Sequence, residues 1–216
     1  MQKRLPYIPE SASIEDPVWA GQFEELINTM MFHGVKIKVI AKFSGMTPRA
    51  LGVRYKILMN KPAPQGRMPH SNPKNFTLPR DRVNAEEVLH FTLFASCYKR
   101  ISDGIGERVN RSWILMAAYN AYINLTSDMV KRIGGASYRI SVNKAYTLVS
   151  YLSGTKELQL KTCEVCGIAH LVVASAELEN QACPMCRIGR LQESISTRNA
   201  ATTVNEDALK LVEMAA

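Results

Sequence analysis

Hydrophobic positions recur along this chain at helical spacing in four stretches, and the breaks between them divide it. From about Gly21 to Asn60, Phe23, Leu26, Ile27, Met30 and Met31 follow at spacings of three and four, one buried helical face. Residues 60–80 interrupt the pattern with five prolines, so this stretch is a connector that is not helical throughout. Helical spacing resumes at Val88, Phe91, Ala95 and Tyr98, a stripe widened by Phe94 and Ile101 and broken at Gly104 and Gly106. Trp113, Met116, Tyr119, Tyr122 and Ile123 predict another helix, interrupted at Gly134-Gly135. Val142, Ala145, Leu148, Val149 and Leu152 predict one more amphipathic face. These aromatic and methionine stripes read as core or subunit interface. From Leu158 the texture changes to short β-like runs around four cysteines. After Leu191 the chain turns polar, with a weak amphipathic patch at Ala208, Leu211, Val212 and Met214.

The expected fold is therefore mainly α: a helical domain over residues 21–155, then a small four-cysteine unit over 156–192. Residues 1–20, with Pro6, Pro9 and Pro17, read as an arm or loose lead-in, and 193–216 as a tail. At 216 residues, 46% hydrophobic and 21% charged, the chain suits one domain with an appendage and excludes wholesale disorder. No apolar run reaches the roughly 18 residues of a membrane span. The N-terminus carries no apolar core of a secretory signal, so a cytoplasmic location and no membrane partner are expected.

Charge changes the picture more. The formal net charge is +8, and its distribution is uneven. Between Glu25 and Asp81 lie ten lysines and arginines without one acid. Such a concentrated positive field favours nucleic acid as the partner.

Within that stretch, Val39 to Leu51 carries the demands of a helix-turn-helix, expected over about residues 36–59. Ala41 is the small residue that lets a second helix cross, Gly45 makes the turn and Leu51 closes the core. Thr47 caps the second helix and Pro48 opens it. That helix, about 48–59, holds Arg49, Arg54 and Lys56, with Arg49 near the end that meets base edges. Lys42, Thr47, Arg49, Arg54, Lys56, Lys61 and Arg67 are the expected contacts to double-stranded DNA, the last two to phosphates.

Cys163-x2-Cys166, sixteen residues, then Cys183-x2-Cys186 supplies four thiolates for a tetrahedral ion. Gly167 after the first pair is expected to let amides approach the thiolate, and Pro184 to stiffen the second pair. His170-Leu171-Val172-Val173 reads as a strand pairing back across the loop, making a zinc ribbon. His170 could replace one sulfur, yet four cysteines already complete the set. One structural Zn²⁺ is expected, because four thiolates leave no open position for chemistry. Disulfides do not suit a cytosolic chain, and a redox dithiol needs one such pair. Cys97, on an apolar stripe, reads as a buried small hydrophobe.

An enzyme is not expected. There are no paired carboxylates in a polar setting, no phosphate-cradling glycine loop and no Ser/His/Asp grouping. His33, His70, His90 and His170 are scattered, and no small-molecule substrate is implied. The alternative to a DNA-binding activator is a zinc-ribbon adaptor that binds only protein.

Lys144-Ala145-Tyr146-Thr147-Leu148-Val149, Leu158-Gln159-Leu160, the two cysteine pairs, Leu51-x3-Tyr55-Lys56-x-Leu58 and the connector from Pro62 to Ser71 resemble the flagellar master activator's C subunit, the FlhC family. The resemblance spans about residues 22–192. It implies a bacterial transcription activator that joins a D-type (FlhD-like) partner in a heterohexamer of four D and two C chains and recruits RNA polymerase at the nucleoid. It assigns Cys163, Cys166, Cys183 and Cys186 to zinc. The chain departs in a longer arm, in its tail, and in a basic cluster reduced to Arg187, Arg190 and Arg198. Those departures favour the branch of conjugative plasmids and integrative elements (AcaC/SetC-like), whose targets are transfer genes.

Overall fold

A computed structural model describes residues 7–69, 72–77, 82–105, 109–133, 139–174 and 183–186. Six α-helices and one β-hairpin appear among them. They are α1 (Pro17–Phe32), α2 (Ile37–Ser44), α3 (Pro48–Met59), α4 (Arg82–Ile105), α5 (Arg111–Ile133), α6 (Val142–Val149), β1 (Leu158–Thr162) and β2 (Ala169–Val173). The mainly helical expectation holds, and none of the described helices is long and apolar enough to cross a membrane.

Local signals set the helix ends. The Asp16 carboxylate accepts from the Val18 amide at 2.9 Å, and Pro17 occupies the first turn, so α1 starts four residues before the apolar pattern does. Gly45 stops α2 at φ 69°, in the left-handed region that favours glycine. Thr47 caps α3 by accepting from the Ala50 amide at 3.3 Å, and Asn60 at φ 50° ends it.

The core is one continuous cluster. Phe23, Leu26, Ile27, Met30 and Met31 of α1 meet Leu51 and Tyr55 of α3 and the aromatic faces of α4 and α5. Phe94, Tyr98, Tyr119 and Tyr122 stack edge-on and tilted at centroid separations of 5.9 to 6.4 Å. Four parts of the chain carry features that the apolar pattern does not give. Residues 7–16 are not wholly a loose lead-in, since Ile8 is fully buried and its carbonyl accepts from the Asn110 amide at 3.0 Å. The proline connector is docked: Phe76, in a single 3-10 turn at Pro73–Phe76, is buried 4.7 Å from the ring of Phe91. After α6 the helix widens into one π turn, Ser150–Gly154, before reaching β1. The hairpin packs against the helices, with Leu158, Leu171 and Val173 in the helical core. The breaks at Gly106 and Gly134-Gly135, the cluster Arg187, Arg190 and Arg198, and the tail lie outside the described residues.

Candidate metal centre and nucleic-acid interface

β1 and β2 pair antiparallel, with Leu158 opposite Val173 and Thr162 opposite Ala169. The turn joining them is the first cysteine pair itself. The Cys163 amide donates to Ile168 at 3.0 Å, and the Gly167 amide donates to the Cys163 carbonyl at 2.9 Å. Gly167 sits at φ 71°, and a Cβ there would meet nothing within 4 Å. The glycine is thus needed for its backbone conformation rather than for space, which corrects the expectation that a missing Cβ admits the amides.

The second pair, Cys183 and Cys186, is brought to this turn by a short helical stretch over residues 184–186. All four Sγ atoms lie within 4.8 Å of one another. Cys163 to Cys186 and Cys166 to Cys183 are each 3.7 Å, close to the tetrahedral edge of about 3.8 Å that Zn–S bonds of about 2.3 Å require. Donor type, number and spacing fit one zinc ion held by Cys163, Cys166, Cys183 and Cys186. His170 is a buried strand residue opposite Lys161 and stands outside the sulfur cluster.

The amides of Cys166 and then Val165 hold the Cys163 thiol down to about 7. The Cys186 thiol is pushed up to about 12, first by its contact with Cys166 and then by burial. Burial also raises Cys183. Four negative charges in this space are sustained only around a dication. Cys97 is different: burial raises its thiol, which makes it a packing residue rather than a nucleophile.

The basic stretch forms a second feature. α2 and α3 are joined by the three residues Gly45, Met46 and Thr47. Leu51 and Tyr55 turn α3 inward, which leaves Arg49, Val53, Lys56, Ile57 and Asn60 exposed on its outer side. Lys42 on α2 and Lys61 and Arg67 on the connector are exposed too. Thr47 is occupied as a cap. Arg54 departs from its expected place: its Nε and Nη2 donate to Asn28 at 3.1 and 3.0 Å, and Nη1 pairs with Glu24 at 3.2 Å. This guanidinium fastens α3 to α1 instead of standing free.

Sequence reasoning missed three contributors. Lys36 reaches across to the Arg67 carbonyl, closing the connector over α2 and α3. An open groove of about 810 Å³ runs there, lined by Lys36, Lys38, Pro48, Gly52, Gly66 and Arg67. Val53 and Ile57 are 57% and 79% exposed, although both are large and apolar. Their positions off the 51–55–58 stripe were readable from helical geometry alone.

A basic, mainly helical protein that carries a four-thiolate site of the closed, structural kind is the class these features define. Residues 21–199 match the family of the flagellar transcriptional activator FlhC, and the chain belongs to that family. It is a family of transcriptional regulators and not of enzymes. No curated protein matches the chain.

Proposed function

We propose that this chain is the DNA-contacting subunit of a hetero-oligomeric activator, with α2 and α3 serving as a helix-turn-helix. One observation carries the reading. Lys42, Arg49, Lys56, Lys61 and Arg67 are exposed on two short-linked helices and the connector that follows, in a stretch with no acid between Glu25 and Asp81. Phosphate contacts from Lys61 and Arg67 set affinity, and α3 sets sequence through Arg49 near its N-terminus. Lys42 and Lys56 are exposed on α2 and α3 and add phosphate contacts, Thr47 holds the start of α3, and Arg54 positions α3 from behind.

The zinc-held hairpin is anchored on α4 and the helical core through Leu158, Leu171 and Val173. A D-type subunit completes the assembly as a D4C2 heterohexamer, which recruits RNA polymerase to promoters in the bacterial nucleoid. The basic cluster reduced to Arg187, Arg190 and Arg198 supports conjugative-transfer promoters over flagellar ones. An adaptor that binds only protein is the competing reading.

Genome-wide occupancy of the cross-linked chain, in a host carrying its whole element, tests both. Sharp peaks upstream of a small promoter set, lost in Arg49→Ala, are expected, and the downstream genes identify the regulon. Occupancy equal to an untagged control overturns direct DNA contact and leaves the adaptor.

A further inference from the structure

The outer side of α3 mixes charge with apolar surface in a way that solubility does not explain. Val53 and Ile57 are one helical turn apart, and both are exposed beside Arg49 and Lys56. Neither side chain is needed by the core, which α3 reaches through Leu51 and Tyr55. A branched aliphatic pair among cations, in a stretch without acids, matches a surface that is itself anionic at its rims and apolar at points inside. The major groove is such a surface: phosphates line its edges, and each thymine presents a C5 methyl on its floor.

Resting on the DNA-binding reading above, we infer that Val53 and Ile57 are specificity residues that read thymine methyl groups. Val53 and Ile57 are about 6 Å apart along the helix axis at about 1.5 Å per residue. That is close to two base-pair steps of about 3.4 Å, and Arg49 precedes Val53 by the same distance. The recognition element therefore contains thymines within a few base pairs of the base that Arg49 contacts. Charge complementarity is the argument for DNA as the occupant: Arg49 and Lys56 stand beside the pair, in a stretch with no acid between Glu25 and Asp81.

The test uses the full chain with the subunits that co-purify with it. Duplexes are first selected from a random pool, and each selected thymine is then replaced singly by deoxyuridine. That change deletes one methyl and leaves the base's hydrogen-bonding edges intact. Affinity is expected to fall roughly three- to tenfold at one to three positions, the scale of one buried methyl or slightly more. Val53→Ala and Ile57→Ala should each bind thymine and uracil equally at the position that its side chain reads. Lys61→Ala should weaken both duplexes alike and keep the difference.

Indifference of the unsubstituted protein to every uracil overturns the proposal while leaving DNA binding intact. So does a Val53→Ala protein that keeps every difference. If Val53→Ala instead changes the mass of the assembly and leaves the uracil effect in place, the pair is a subunit contact and the inference fails. A pool that yields no bound duplex overturns the underlying DNA-binding reading itself.

Discussion

The side-chain amide of Asn143 bridges both sides of the turn between α1 and α2. Its Oδ1 accepts from the Lys36 amide at 3.1 Å, and its Nδ2 donates to the Gly34 carbonyl at 3.0 Å. Asn143 lies more than a hundred residues away on α6 and is buried. The neighbouring α6 residues act in the same direction: Thr147 donates to the Pro69 carbonyl at 3.2 Å, and Tyr146 packs edge-on against Phe43 of α2. The basic surface is thus aimed by a helix that carries none of the exposed cations assigned to DNA.

Replacing Asn143 by alanine should strand a backbone donor and an acceptor at a half-buried turn, costing about 1 kcal/mol or somewhat more. Asn143→Asp keeps the acceptor for Lys36 but sets a carboxylate against the Gly34 carbonyl, so it should be no better. Thermal unfolding of the two variants checks this, and a melting temperature unchanged by either would remove the bridge's importance.

Loss of the metal should be felt in the helices. Leu158, Leu171 and Val173 join the helical core from a hairpin whose turn is the first cysteine pair. Burying each is worth about 1.5–3 kcal/mol. Cys163→Ser or a chelator should abolish the expected one zinc per chain, lower the melting temperature and raise hydrogen exchange in α4. Metal content, calorimetry and exchange report these separately. Exchange confined to 158–173 would mean that the hairpin folds by itself.

Acid should destabilise the fold through two histidines. Burial lowers the His33 imidazole, partly offset by the nearby Asn120 side chain. Burial also lowers His90, with Glu86 opposing and Arg139 reinforcing. Tyr122 Oη accepts from the Ile140 amide at 3.1 Å and shares a hydrogen bond of 2.8 Å with His90 Nδ1, which ties the His90 ring into the packed aromatic cluster. A depressed native value gives stability that is full above the unfolded value of about 6.5 and is lost as pH falls through it toward the folded one. The melting temperature should drop between pH 7.5 and 5.5, and the double change His33→Gln with His90→Gln should flatten that drop.

Two glycines should respond to substitution through the backbone alone. Gly45 at φ 69° and Gly167 at φ 71° each have open space where a Cβ would be. Alanine at either should cost about 1–2 kcal/mol from the left-handed conformation without a clash. Denaturant titration gives the number, and a cost well above this range would indicate packing instead of conformation.

Arg49 and Arg54 should part company. Arg49→Ala or Lys56→Ala should weaken DNA binding, and removing one cation from a phosphate should flatten the salt dependence by about one unit. Arg54→Ala should cost about 1 kcal/mol of stability, since it removes bonds to Asn28 and Glu24. Salt-dependent binding isotherms beside melting curves separate the two effects.

What the sequence determined by itself is what depends on neighbours within a few residues. Cysteine spacing named the metal ligands, because two residues between sulfurs suffice to turn both toward one ion. Gly45 and Thr47 bound their helices for reasons within one turn, and the apolar stripes found the buried faces of α1 and α4 and part of that of α5, whose Ile114, Leu115 and Ala118 lay outside the stripe. The strand at His170 was legible from its β-like run. Tertiary structure decided the rest, because those contacts join residues whose separation no local pattern encodes. Only the packed chain brings Asn143 to Lys36, buries Ile8 and Phe76, and seats the hairpin on α4. It also turns Arg54 from a free cation into a tie, since a guanidinium on the side of a helix points to solvent or to a neighbour according to which helix packs there.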